Sequence, residues 1–150
     1  MANAEVTKQV RAPIEAVWRF TCDMNNWAPL IIGYESHEEI SPWESMWTLK
    51  GQLGQLQKAV TFKVQITEWV EPSRVAFTLQ GTNDNVTGSG LFESRQTDES
   101  TVLNVQLDLK PGGLQGPMVN AMLKPVVPQV CEDFAESLAA HIEEAYHTES

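Results

Sequence analysis

The chain is poor in the residues that build metal sites and nucleophilic centres. It has two cysteines, Cys22 and Cys131, far apart and each in an apolar helical context. No Cys-x-x-Cys pair or Cys/His cluster occurs, which argues against zinc and against a disulfide framework; both thiols read as free and buried. There are only three histidines, so a nucleophile has few bases to draw on. His141 and His147 flank Glu144 near the C-terminus, where spacings of three and six suit a solvated helix end better than a metal face. His37 alternates with Glu35 and Glu39 in "YESHEEI" and reads as part of a wet strand face. Bases are scarce as well. Ten Lys and Arg stand against twenty Asp and Glu, for a net charge of −10, so the basic footprint of a nucleic-acid binder is missing. From Pro125 to Ser150 there are six acids and no Lys or Arg. An anionic membrane would repel that tail, and any peripheral membrane contact falls to apolar side chains or to another face. No apolar run reaches the ~18 residues of a membrane span. The N-terminus "MANAEVTKQVRAPIE" lacks the apolar core of a signal peptide, which points to a cytoplasmic location and makes Asn85-Val86-Thr87 a chance glycosylation triplet. "PGGLQGP" lacks the Lys-Ser/Thr ending of a phosphate loop.

What the chain does have is apolar residues, 42% of its 150, spread along its length. That suits one domain, residues 1–150, with a substantial core. "NAEVTKQVR" predicts a first strand. Pro13, at the first helical position, opens a helix carrying Ile14, Val17, Trp18 and Cys22 on one face. "NNWAPLIIG" predicts a short helix or turn closed by Gly33. From Tyr34 the period becomes two. Trp43, Trp47, Leu49 and Leu53 share one parity. Val60, Phe62, Val64 and Ile66 give the clearest alternation, and Val75, Phe77 and Leu79 follow. "GTNDN" at 81–85 and "TDES" mark turns, and Leu103, Val105, Leu107 and Leu109 share a face. Strands with one wet face predict an antiparallel sheet covered on a single side.

The cover is the remainder. Residues 118, 122, 126, 130, 134, 138, 142 and 146 are all apolar, but a ladder of fours overshoots a straight helix by roughly 40° per step. Pro125 and Pro128 interrupt it. An interior proline costs roughly 3 kcal/mol, so either a kinked helix or two helices is expected, with Glu132 and Asp133 near the restart. Residues 114–127, greasy on most sides, then form a flap hinged on "PGGLQG" and "KPVVP".

This order of elements resembles the helix-grip fold of the START-like (SRPBCC) superfamily. The resemblance is carried by "RAPIEAVWRFTCDMNNWAPLIIG" and "LDLKPGGLQGPMV" and spans essentially the whole chain. It is most similar to two branches, the G-type subunit of carbon monoxide dehydrogenase and the polyketide cyclase/dehydrase proteins, although Pro125, Pro128 and "PLIIG" depart from them. The resemblance implies an α+β fold. A curved antiparallel sheet of about seven strands wraps a long, proline-interrupted C-terminal helix, with two short helices after the first strand. It also implies an internal cavity for a lipid, quinone or polyketide-like ligand, and a redox-enzyme partner if the likeness to the carbon monoxide dehydrogenase branch carries function. No cofactor or metal is expected.

A cavity between such a sheet and helix would draw on Trp27, Leu30, Ile31, Tyr34, Trp47, Leu49, Phe62, Phe77, Leu79, Phe92, Leu107, Met118, Met122 and Val126. Aromatics and thioethers suit apolar ligands. Trp47 sits beside glycines (Gly51, Gly54) and is expected to serve ligand more than stability, whereas Phe62, mid-strand, is expected to serve stability. If the protein is an enzyme, Glu38, Asp23 and Tyr34 are the acid–base candidates. Glu38 shares parity with Tyr34 and Ile40, so it could point inward, although the outward reading is the favoured one. Asp23 also suits a capping role. The scarcity of inward polar groups favours a carrier over a cyclase or dehydratase.

Overall fold

A computed structural model of the protein describes residues 2–53, 56–82 and 85–149. The expected turn at 81–85 lies partly outside them, as does Gly54. Strand β1 (Ala2–Val10) leads into helix α1 (Ile14–Thr21), short helix α2 (Met24–Trp27) and a 3-10 turn at Ala28–Leu30. Six strands follow: β2 (Tyr34–Ser41), β3 (Glu44–Leu53), β4 (Leu56–Val70), β5 (Arg74–Gly81), β6 (Val86–Thr97) and β7 (Ser100–Pro111). Helices α3 (Gly116–Leu123) and α4 (Val126–Glu149) close the chain. The strands form one antiparallel, curved sheet in the order β1-β7-β6-β5-β4-β3-β2. The chain therefore runs as a meander from β2 to β7, and β1 pairs with the far edge. This is the expected α+β helix-grip architecture.

The alternation read from the sequence sets which face is covered. Trp47, Val64, Ile66, Val75, Phe77, Phe92, Leu103 and Val105 are buried on the concave side, against Phe134, Leu138 and Ile142 of α4. Arg74 bonds Glu68 and Glu93 across strands, as does Asn104 with Glu5. Lys8 on β1 reaches Glu132 on α4 at 2.5 Å. With both side chains partly exposed, that pair positions the helix more than it stabilises it.

Local chemistry explains the entry segment. Asp23 caps α2, its carboxylate accepting from the Asn25 amide at 2.9 Å. Gly33 adopts φ 88°, a left-handed conformation open to glycine, and its carbonyl accepts from the Lys50 amide at 2.6 Å. Two expectations need correcting here, and one open alternative is resolved. Pro13 occupies the N-cap of α1 rather than its first helical position. Cys22 is exposed, since the helix ends at Thr21 and the cysteine caps it; Cys131 alone is buried. The C-terminal segment resolves into two helices, separated at Lys124-Pro125.

The prolines fall where their missing N–H is harmless. Pro125 lies between the helices, and Pro128 is the third residue of α4, where amides lack an intrahelical acceptor in any case. Glu132 and Asp133 lie beyond the first turn of α4. The buried stripe runs Leu123, Val127, Cys131, Phe134, Leu138, Ile142, mixing steps of three and four as a helix requires. The ladder of fours is thus right from Phe134 on. Upstream it slips by one residue, and Met118 and Met122 turn outward.

Candidate functional site

A cavity of about 230 Å³ lies between the sheet and α4. Its sheet side is built by Trp47, Leu49, Val60, Phe62, Phe77, Leu79, Phe92, Val105, Leu107 and Leu109; Leu123, Val130, Cys131 and Phe134 come from the helices. Ile31, Ile32 and Lys50 line it where Gly33 ties the entry loop to β3. Ile32 is 55% exposed and Lys50 is exposed too, which locates the mouth at this end. The opposite end is closed by an aromatic stack. Trp27 meets Phe92 edge-on at 4.9 Å and Trp47 at 5.6 Å, and Phe92 meets Phe134 at 5.5 Å. Trp27 is held there by its indole N–H, which donates to the Thr21 carbonyl at 3.0 Å.

Room for the cavity comes partly from β6. A Cβ at Gly90 would lie 2.1 Å from the Phe77 ring, and one at Gly88 would lie 2.7 Å from Leu109. Glycines at alternate positions let neighbouring side chains lie flat across the sheet.

The lining is nearly free of polar chemistry. Lys50 stands at the mouth. The Gln106 side chain donates to Glu5 and Asn104 at 3.2 and 2.9 Å and is therefore engaged outside the cavity. Cys131 donates weakly to the Val105 carbonyl, and burial, ahead of the nearby Glu132 charge, pushes its pKa up to about 11. It is a neutral thiol at physiological pH, not a nucleophile. The Trp47 indole N–H is buried without an acceptor, a donor that an apolar wall leaves unsatisfied. The convex face carries a larger hollow of about 510 Å³, lined by Asn3, Glu5, Thr67, Arg74, Thr78 and Ser89 among others. Its rim of charged and polar side chains makes it a surface depression.

Eight of the residues expected at a ligand site line this cavity: Ile31, Trp47, Leu49, Phe62, Phe77, Leu79, Phe92 and Leu107. The other six do not. Trp27 is fully buried behind the aromatic end, Leu30 and Tyr34 pack on the core, and Val126 is half-buried at the start of α4. Met118 and Met122 are 58% and 37% exposed, because the helical register turns them outward. Val60, Val105 and Leu109 belong to the strand alternation read from the sequence, and Val130 and Phe134 to the helical ladder of fours. Ile32 and Leu123 depend on loop and helix placement, and Lys50 follows Leu49 on β3, where a lysine reads as solvent-facing. For these three the sequence carries no signal, whereas Cys131 was read as buried.

The acid–base candidates separate. Glu38 is exposed, because a bulge between Tyr34 and Ser36 reverses the parity of β2. The same bulge brings His37 alongside Tyr34, so His37 is half-buried rather than wet. The Tyr34 hydroxyl bonds His37 Nδ1. His37 Nε2 meets Asn25 Oδ1 at 2.5 Å, and Asn25 Nδ2 donates to Asp23 and Glu39 at 3.0 Å each. Tyr34 and Asp23 are thus linked through two residues the candidate set lacked. This chain of bonds runs along α2 and β2, outside the cavity lining. No group of three or more His, Cys, Asp or Glu able to hold a metal occurs among the described residues, and no helix there is long and apolar enough to cross a membrane.

One family model matches residues 1–144. No curated protein matches in sequence. Solved structures match over almost the whole chain. A conserved protein from Geobacillus kaustophilus is 20% identical, with 97% of each chain covered and a TM-score of 0.79. A START superfamily protein from Mycobacterium smegmatis is 19% identical, covering 97% of this chain and 99% of its own, at 0.68. The ZhuI aromatase/cyclase from Streptomyces sp. R1128 is 19% identical, covering 94% and 93%, at 0.66.

Proposed function

The chain belongs to the START-like (SRPBCC) superfamily, and from that premise we propose that it binds and carries a small hydrophobic molecule in the cavity between sheet and α4. The observation that carries this reading is the apolar lining, closed by aromatics at one end and open beside Ile32 at the other. Its volume sets the class of ligand. A dry cavity of about 150 Å³ accepts benzene, so about 230 Å³ suits a one- or two-ring compound such as a small quinone, or a short acyl chain. A whole phospholipid does not fit. A cyclase or dehydratase would need an ionisable group against its substrate. Within the described lining the only ionisable side chains are Lys50 at the mouth and the neutral Cys131 thiol, and this supports a binding role. Native mass spectrometry tests the reading. After exposure to a mixture of naphthoquinones and medium-chain fatty acids, the protein is expected to retain one apolar adduct per chain. If it retains none, the reading fails.

A further inference from the structure

The net charge of −10 hides an uneven distribution. No acid lies between Asp23 and Glu35, between Glu44 and Glu68, or between Asp108 and Glu132, yet the last two stretches hold five of the ten bases: Lys50, Lys58, Lys63, Lys110 and Lys124. The fold gathers parts of all three stretches at the cavity mouth. Leu49, Leu109 and Leu123 line the cavity, and each is followed at once by an exposed lysine: Lys50, Lys110 and Lys124. Exposed apolar side chains stand between Lys110 and Lys124 in the chain and beside Lys50 at the mouth. Leu114 is fully exposed, Met118 is 58% exposed and Ile32 is 55% exposed.

We infer that this rim docks on an anionic phospholipid surface, with Leu114, Met118 and Ile32 entering the interface and Lys50, Lys110 and Lys124 meeting the headgroups. The inference rests on the carrier reading only for its purpose, since a mouth pressed to a membrane can exchange an apolar ligand without passing it through water. Projecting apolar side chains ringed by lysines are the composition of an interfacial segment. An acidic protein partner would satisfy the lysines but not a fully exposed leucine at the tip of a Pro-Gly-Gly loop. Repulsion by the acidic helix does not decide the matter. Its acids begin only at Glu132, the seventh residue of the helix, about 9 Å along the axis, against a screening length of about 8 Å at physiological salt. Glu132, the acid of that helix nearest the rim in sequence, is already paired with Lys8.

Vesicle co-sedimentation tests the inference, with phosphatidylcholine alone and with equal parts phosphatidylcholine and phosphatidylglycerol. Binding is expected only to the anionic vesicles, weakening as salt rises. Each lysine near such a surface counts for roughly fivefold in affinity, so Lys110→Gln with Lys124→Gln should lose roughly 30-fold. Leu114→Asp with Met118→Asp should abolish binding; these sites are exposed, and an unchanged melting temperature verifies the fold. Quenching of tryptophan fluorescence by 1,4-naphthoquinone in solution is measured on the same variants. Retained quenching with lost vesicle binding separates docking from the cavity's function. Lost quenching with intact vesicle binding would count against the carrier reading alone. Failure to bind anionic vesicles at low salt, capture of an acidic protein without vesicle binding, or binding indifferent to both double variants would each overturn the docking inference.

Discussion

Trp47 and Phe62 face each other across β3 and β4, and both line the cavity, yet their surroundings differ. Trp47 is 1% exposed and locked against Trp27; Phe62 is half-buried with open space on one side. This reverses the roles that strand position alone suggests. Trp47→Ala is expected to cost about 3–5 kcal/mol. Phe62→Ala should cost about 1–1.5 kcal/mol, half the transfer term of a fully buried phenyl, while weakening ligand binding. Urea denaturation of the two variants checks this, and equal losses would contradict it. Cys131 gives a pH prediction. Its ordinary pKa near 9 rises to about 11 in the fold, so the folded state holds that proton more tightly than the unfolded one. The resulting stability is complete below pH 9 and is lost as pH rises through 11. The stability difference between wild type and Cys131→Ala, followed by thermal melts, should therefore shift against the wild type across that window and stay flat below it. Glu38 shows what alternation cannot reveal. A one-residue bulge reverses a whole strand's parity, and nothing in "YESHEEI" announces it.

At the level of elements, the strands were legible because burying one face imposes a period of two, and the described strands keep it except at the bulges in β2 and β4. The last two helices were only half legible. A ladder of fours on a helix of 3.6 residues per turn must rotate, and only packing shows where it leaves the core. Leu123 and Val127 form a small cluster with Ala4, Leu107, Leu109 and Val119, apart from the main core. Helix α3 therefore rests on little apolar area, while α4 from Phe134 onward is held by the main core. Local opening follows such differences. Amides of residues 116–123 should exchange much faster than those of 134–146, and a bound naphthoquinone should slow the first group selectively. Hydrogen exchange read by mass spectrometry checks this; equal protection of both segments without ligand would refute the flap. Pro125→Ala should slow exchange in α3 by letting the helices join. Pro128→Ala should change little, because its amide would have no acceptor in the first turn of α4.

The whole molecule is a curved sheet that cannot close on its helix. Aromatics fill one end, glycines at 88 and 90 thin the middle, and the mouth is left between Ile32 and Lys50. Composition and element order already pointed to this architecture, and seven of the eight expected lining residues lie on strands whose parity points them inward, Ile31 coming from the entry loop. The mouth was not legible, because it depends on how a loop, a hairpin and a helix end converge. The central claim is that the space is a binding site rather than a packing flaw. Titration with 1,4-naphthoquinone, read by quenching of the aromatic end, tests it most directly when the wild type is compared with Leu79→Trp and Leu107→Trp, which fill the space from the sheet side. The account predicts saturable one-to-one quenching in the wild type and its loss in both filled variants, with their melting temperatures kept. Quenching that never saturates, or that persists unchanged in the filled variants, would contradict it.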